Sequence, residues 1–268
     1  MLHSSPKGEK EMDKAEIRKR GLEAGADAVG FAAIEDYHSI KSPDPKTLLP
    51  GIRSIVVLGY REVHGSLESP NKRMSMMSRM GTMDLSKSSV YRMAKLIEDR
   101  CRVKAVPVLA SYPLDMGLPV MGLAGDLSLR HAAVAAGLGV FGRHNLVIHP
   151  RFGTRIVFTA VLTELPLASD PPVRDALCDN CMLCVENCPA RALDKEGKTE
   201  DLKCLRVSQP YGIGGLIGFI RKLMKANPEE QKAMLVSPEF MHLYQASFIG
   251  FQYNCFECMT CCPAGLER

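Results

Sequence analysis

One twelve-residue stretch limits what this chain can become more than any other: Cys178-Asp-Asn-Cys181-Met-Leu-Cys184-Val-Glu-Asn-Cys188-Pro189. Three cysteines recur at steps of three residues, and a fourth follows four later with proline directly after it. A four-iron cube needs thiolates at tetrahedral directions around a core a few ångströms wide. Three cysteines on one loop can wrap three corners. The fourth must arrive from elsewhere, because the loop cannot close on itself. Proline after the remote ligand stops the backbone from continuing the loop. In this spacing the first three cysteines take one cluster and the fourth joins another. Cys178, Cys181 and Cys184 are therefore expected on one cluster and Cys188 on a second.

The spacing is that of bacterial ferredoxins. A partial copy closes the chain: Cys255-Phe-Glu-Cys258-Met-Thr-Cys261-Cys262-Pro263. Neighbouring residues rarely point both thiolates into one cube. Cys262 precedes proline, as Cys188 does, and is assigned to the first cluster. Cys188, Cys255 and Cys258 remain for the second, with either Cys204 or Cys261 as the fourth ligand. Zinc competes for bare C-x₂-C pairs, but the longer run is the more specific signal. Cys101 stands far from any metal spacing and reads as an ordinary thiol.

Ten cysteines in a 268-residue chain do not suit a secreted disulfide scaffold, because such scaffolds are short and nine of these ten lie from Cys178 onward. The N-terminus is polar and charged through Arg20 and has no apolar leader, and no apolar run is long enough to span a bilayer. A reducing cytoplasm is the expected compartment. The formal charge of +4 and the lack of a basic run disfavour nucleic acid as a partner.

Residues 1–11 read as a flexible tail. Met12–Ala24 patterns as a helix stopped by Gly25. Asp27–Ala33, Ser54–Gly59, Ala105–Ala110 and Arg155–Thr163 pattern as strands, the last dense in β-branched residues and expected at the sheet centre. Methionines at 74, 76, 77, 80 and 83 suggest a mobile loop, core filler or a lid, with Ser86 or Ser88 opening a helix to Arg100. Asp126 is expected to cap an alanine-rich helix ending at Gly137-Leu-Gly139. Pro166–Pro172 reads as a linker. The expected organisation is an α/β domain over 12–170, then a cluster-bearing domain over 171–268 with a helical insert at about 205–254. Within the insert, Ile213–Ala226 is apolar and then basic. It is expected to pack on the chain's own body or on a second copy in a homodimer, rather than on a membrane surface.

The cysteine layout combines with Ala136-Gly-Leu-Gly-Val-Phe-Gly-Arg-His-Asn-Leu-Val-Ile-His-Pro150. Together they resemble the epoxyqueuosine reductase and reductive dehalogenase superfamily. The resemblance implies a corrinoid-binding α/β domain with a nitroreductase-like sheet and flanking helices, joined to a ferredoxin-like module with two [4Fe-4S] clusters. Gly137, Gly139, Gly142, Arg143, His144, Ile148, His149, Pro150 and Gly153 stand in the places of the family's Gly-Leu-Gly and Ile-His-Pro segments. It implies Gly139, Gly142, Arg143, His144 and His149 near the cofactor. It also places a lone cysteine sixteen residues after the first Cys-Pro, which is Cys204 here and favours Cys204 over Cys261 for the second cluster. The reductases' aspartate proton donor falls on Leu123, and Tyr112 is only a weak counterpart of the dehalogenases' tyrosine, so no catalytic residue is assigned.

The function that follows is an iron–sulfur oxidoreductase, fed by reduced ferredoxin or flavodoxin, that delivers electrons to a cobalamin-like corrinoid for a reductive reaction on a small molecule. A flavin is the less favoured cofactor. Its rivals are an electron-transfer protein that reduces a partner's corrinoid or flavin, including a corrinoid protein, and a tRNA-binding relative.

Overall fold

In the computed structural model the described residues are 12–110, 114–118, 120, 122–193, 199–250 and 253–265. The expected tail at 1–11 and Tyr112 lie outside them. The fold is mixed α/β, and the chain divides into two compact units. One gathers residues 12–61, 82–140 and 156–175, and the other 62–81, 141–155 and 176–265. Both are discontinuous in sequence. Among the described residues no helix is long and apolar enough to cross a membrane.

The first unit is built on a four-stranded sheet. Its strands are β1 (Ala28–Ala33), β2 (Ser54–Arg61), β3 (Ala105–Val108) and β6 (Ile156–Thr163), in the order β1-β2-β6-β3 with every pairing antiparallel. β6 is interior, as its β-branched sequence predicts, and all eight of its residues are buried. Helix α1 (Lys14–Glu23) starts at Asp13, whose carboxylate accepts the Glu16 N–H, and ends just before Gly25. Its Ile17 joins Phe31, Val56, Leu58, Val90, Met93, Ile97 and Val161 in the main core.

Two expectations are corrected here. Ser128, not Asp126, caps the alanine-rich helix α4 (Leu129–Ala135), because only Ser128 is adjacent to its first turn. Its hydroxyl accepts the His131 N–H and pairs with His131 Nδ1 at 2.7 Å. The methionine-rich stretch is neither loop nor lid. It forms the start of α3 (Lys72–Cys101), a thirty-residue helix in which Ser86 is an interior residue donating to Met83 O. Methionine, lysine and arginine are good helix formers, and they outweigh Gly81 and the serines of this stretch.

The proline-bearing stretch before the cysteines is no free linker. Asp170 pairs with Lys14 at 2.6 Å and with Arg18 at 2.8 Å, and accepts the Phe31 N–H at 3.2 Å. The Asp170 N–H donates back to Phe31 O at 2.8 Å. Burial alone would raise its carboxyl pKa, but hydrogen bonds from Lys14 and Arg18 outweigh burial and hold it below the usual range. A depressed carboxyl contributes stability that is complete above the unfolded value of about 3.9 and is lost as pH falls through the folded value. Asp170→Ala should destabilise by about 2 kcal/mol at pH 7, with the deficit shrinking below about pH 4, as read by urea denaturation across pH.

The second unit is mostly helical. It contains α2 (His64–Leu67), the first turns of α3, and a tight turn between the short strands β4 (Val140–Phe141) and β5 (Val147–Ile148). It then runs through α5 (Leu183–Glu186), α6 (Asp201–Ser208), α7 (Ile213–Lys225), α8 (Pro228–Leu235), α9 (Pro238–Ile249) and α10 (Glu257–Thr260). Asn227 and Glu230 form a capping box that starts α8, and Ser237 caps α9. Phe219 of α7 is buried against Phe240 of α9, with ring centroids 5.6 Å apart. Lys222 reaches Glu239 at 2.8 Å. So α7 packs on its own chain, while Ile213 and Met224 on the same helix stay exposed.

Candidate metal centre

The cysteine loop turns sharply because two of its non-glycine residues take left-handed backbone, Asn180 (φ 58°) and Met182 (φ 64°), on either side of Cys181. Asparagine tolerates that region well and methionine poorly, so the surrounding structure must hold Met182 there. The Asp179 carboxylate accepts the Cys181 N–H at 3.0 Å and tightens the bend. The result brings Cys178, Cys181 and Cys184 onto the wall of one cavity of about 230 Å³. Cys262, from the second run, lines the same cavity, together with Arg143, His144 and Ile148. Cys184 and Cys262 are buried, and Cys181 is exposed.

A second set gathers around Cys258. Burial first, then Cys255, Cys204, Cys261 and Cys188 in that order of influence, together push its thiol up to about 12. Cys204 likewise acts on Cys255. Cys261 stands between the sets, because its thiol, raised to about 11 chiefly by burial, also feels Cys184 and Cys262. Half-buried thiols that raise one another in this way resist ionising together unless a cation sits among them. Backbone N–H groups are already aimed at sulfur: Ala192 N–H donates to Cys188 Sγ at 3.3 Å, and Ala264 and Glu257 bond Cys262 and Cys255. Soft thiolates with N–H donors suit an iron–sulfur cube. Among the described residues no three histidine, cysteine or acidic groups form a site for a single metal ion.

The second cysteine run is held by groups that sequence reading missed. Arg155, 3% exposed, donates to Thr260 O and Cys262 O, both at 3.0 Å, and to Ala264 O at 3.4 Å. Thr154 Oγ1 donates to Met259 O at 2.8 Å. Gly153 has φ +57°, and a Cβ there would stand 1.8 Å from Ala264 O, so only glycine fits. Phe256 and Met259 pack with Leu67 and Met76, which makes Met76 core filler. Arg79 lies over the Tyr253 and Phe256 rings, at 5.6 and 5.3 Å, and pairs with the fully buried Glu62. The local signal was faint: Arg155 reads as the charged edge of a buried strand, and Glu62 as the end of another.

The residues expected near a cofactor divide. Arg143 Nε and Nη2 donate to Asn180 Oδ1 at 3.2 and 3.0 Å, which ties it to the cysteine loop. His144 is buried and lines the thiol cavity. His149 stacks on Phe152, and its Nδ1 accepts the Arg151 and Phe152 N–H groups at 3.1 and 3.3 Å. Burial lowers both histidines to about 4, with Arg151 adding to the effect on His149. Gly142 opens the β4–β5 turn, where its N–H donates to Leu146 O at 2.9 Å. Gly139 lies just before β4 and outside that cavity wall.

No family model matches the chain. It is 24% identical over 265 residues to an epoxyqueuosine reductase of Bacillus cereus, covering 89% of this chain and 61% of that protein. The structure is similar to the epoxyqueuosine reductase from Streptococcus thermophilus, with TM-score 0.60 and 18% identity, over 95% of this chain and 66% of that one. It is also similar to a reductive dehalogenase studied for B12-dependent dehalogenation, with TM-score 0.56 and 17% identity, over 91% of this chain and 38% of that one. The chain thus has the fold of these proteins and spans 61% of the curated relative's length.

Proposed function

Because the chain resembles the epoxyqueuosine reductase and reductive dehalogenase superfamily along most of its length, we propose that it is an iron–sulfur oxidoreductase with two [4Fe-4S] clusters in a ferredoxin-like region. The observation that carries this reading is the convergence of Cys178, Cys181, Cys184 and Cys262 on one cavity, although the last is far from the others in sequence. They would hold one cluster, and Cys188, Cys204, Cys255 and Cys258 the other. Bound clusters supply one-electron transfer, here toward a corrinoid that carries a reductive reaction, with reduced ferredoxin or flavodoxin as donor. The protein's own part is to fix the thiolates, aim N–H donors at sulfur and keep water from Cys184 and Cys262. The corrinoid's place in this reading rests on the resemblance alone.

A second reading is an electron-transfer or activation protein that reduces a partner's corrinoid or flavin and has no substrate of its own. Leu123, half-exposed and aliphatic where the reductases carry a proton-donating aspartate, favours it.

Anaerobic reconstitution tests both. Wild type should hold about eight irons per chain, Cys204→Ala about four, and Cys261→Ala about eight. Equal iron in wild type and Cys204→Ala would remove Cys204 from the second cluster. Added cobalamin should then bind tightly with a changed visible spectrum. Full iron without cobalamin binding would leave the electron carrier as the surviving reading.

A further inference from the structure

We infer that His144 donates its Nε2–H to a sulfur of the cluster held by Cys178, Cys181, Cys184 and Cys262, and so raises that cluster's reduction potential. The inference rests on the reading of those four cysteines as cluster ligands.

The tautomer follows from the turn. His144 Nδ1 accepts the Leu146 backbone N–H at 3.0 Å. An amide N–H can only donate, so Nδ1 carries the lone pair and Nε2 carries the ring's proton. That Nε2 is buried, in a residue only 6% exposed, and has no hydrogen-bond partner among the described residues. A buried donor left unpaired is costly, and native structures rarely keep one without a reason.

The surroundings supply the reason. His144 lines the cavity of the four thiols. Asp179 Oδ1 accepts the Cys181 N–H and Asn180 Oδ1 accepts from Arg143, and neither is bonded to His144 Nε2. The four thiols share the cavity wall with this ring and can accept its N–H. The ring also cannot swing away toward Gly142, because it already rests on that residue's bare backbone. A Cβ at Gly142 would lie 2.5 Å from His144 Cε1 and 2.9 Å from Nε2. Asn145, at φ 60° with its N–H on Gly142 O at 2.9 Å, closes the turn that sets this geometry. With Nδ1 occupied by the Leu146 N–H, the imidazole meets the cavity through Nε2 as a hydrogen-bond donor. A reduced cluster carries one more negative charge than an oxidised one, so an N–H···S bond favours the reduced form.

The test is an EPR-monitored redox titration of reconstituted wild type, His144→Phe and His144→Gln. In His144→Phe one of the two midpoints should fall, with about a tenfold lower reduced-to-oxidised ratio at fixed potential, which is about 59 mV for one electron. The fall should be smaller in His144→Gln, which keeps an N–H donor. Equal falls in both variants would mark lost packing instead of a lost donor and would overturn the inference, as would unchanged midpoints. Wild type carrying ¹⁵N-histidine decides the matter even if the variants fail to load. A ¹⁵N hyperfine coupling to a reduced cluster supports the bond, and full iron with no coupling refutes it. Wild type without iron would instead refute the ligand reading itself.

Discussion

Cys184→Ala is expected to cut iron from about eight to about four per chain after anaerobic reconstitution, with one of two EPR signals lost. Cys184 is the buried member of the first run and sits in the short helix α5. Burial raises its thiol most, and Cys262, Cys178 and Cys181 raise it further, so it lies among all three proposed co-ligands. Cluster binding contributes folding free energy, since the site does not exist in the unfolded chain. A loss of about 2 kcal/mol or more should lower the anaerobic Tm by roughly 4–8 °C. Cys101→Ala is the control and should leave iron at about eight. Unchanged iron in Cys184→Ala would remove this residue from the ligand set.

Arg155→Met is expected to be as damaging without touching a ligand. The variant leaves the carbonyls of Thr260, Cys262 and Ala264 without their shared donor in a buried place. Hydrogen bonds from a charged group and stranded buried acceptors together set the loss at about 3–5 kcal/mol by anaerobic denaturation. Because Cys262 hangs on one of those carbonyls, iron should also leak from the first cluster faster than from the second. Arg155→Lys should fall between the two, since an ammonium cannot span three acceptors as a guanidinium fork does. A stable, fully loaded Arg155→Met would show that Thr154 and Gly153 hold the second run by themselves.

Much of this was legible in the sequence, for reasons that differ from place to place. The strands of the sheet were visible because their β-branched runs are continuous and buried on both faces, as in β6. The cysteine spacings were visible because they follow the ferredoxin pattern C-x₂-C-x₂-C-x₃-C-P. The second half of α3 was legible as a helix to Arg100, but its first half was not, because methionine-rich helical sequence with glycine and serine lacks a clear apolar stripe. The cap of α4 was misplaced by two residues, since aspartate and serine are both favoured N-cap residues and only the backbone decides between Asp126 and Ser128. Arg155 and the Glu62–Arg79 pair were invisible because their partners lie about a hundred or more residues away, or one helix distant, and no local pattern encodes such meetings.

The cysteine-bearing unit takes in residues 62–81 and 141–155 as well as everything from 176 on. Those two early segments supply Met76, Arg79, His144 and Arg155, which pack beside the cysteine runs or face their thiols. The final ninety-odd residues are therefore not a cassette that can be lifted out and grafted elsewhere. A recombination event that moved them alone would carry the thiols and leave behind the parts that aim them.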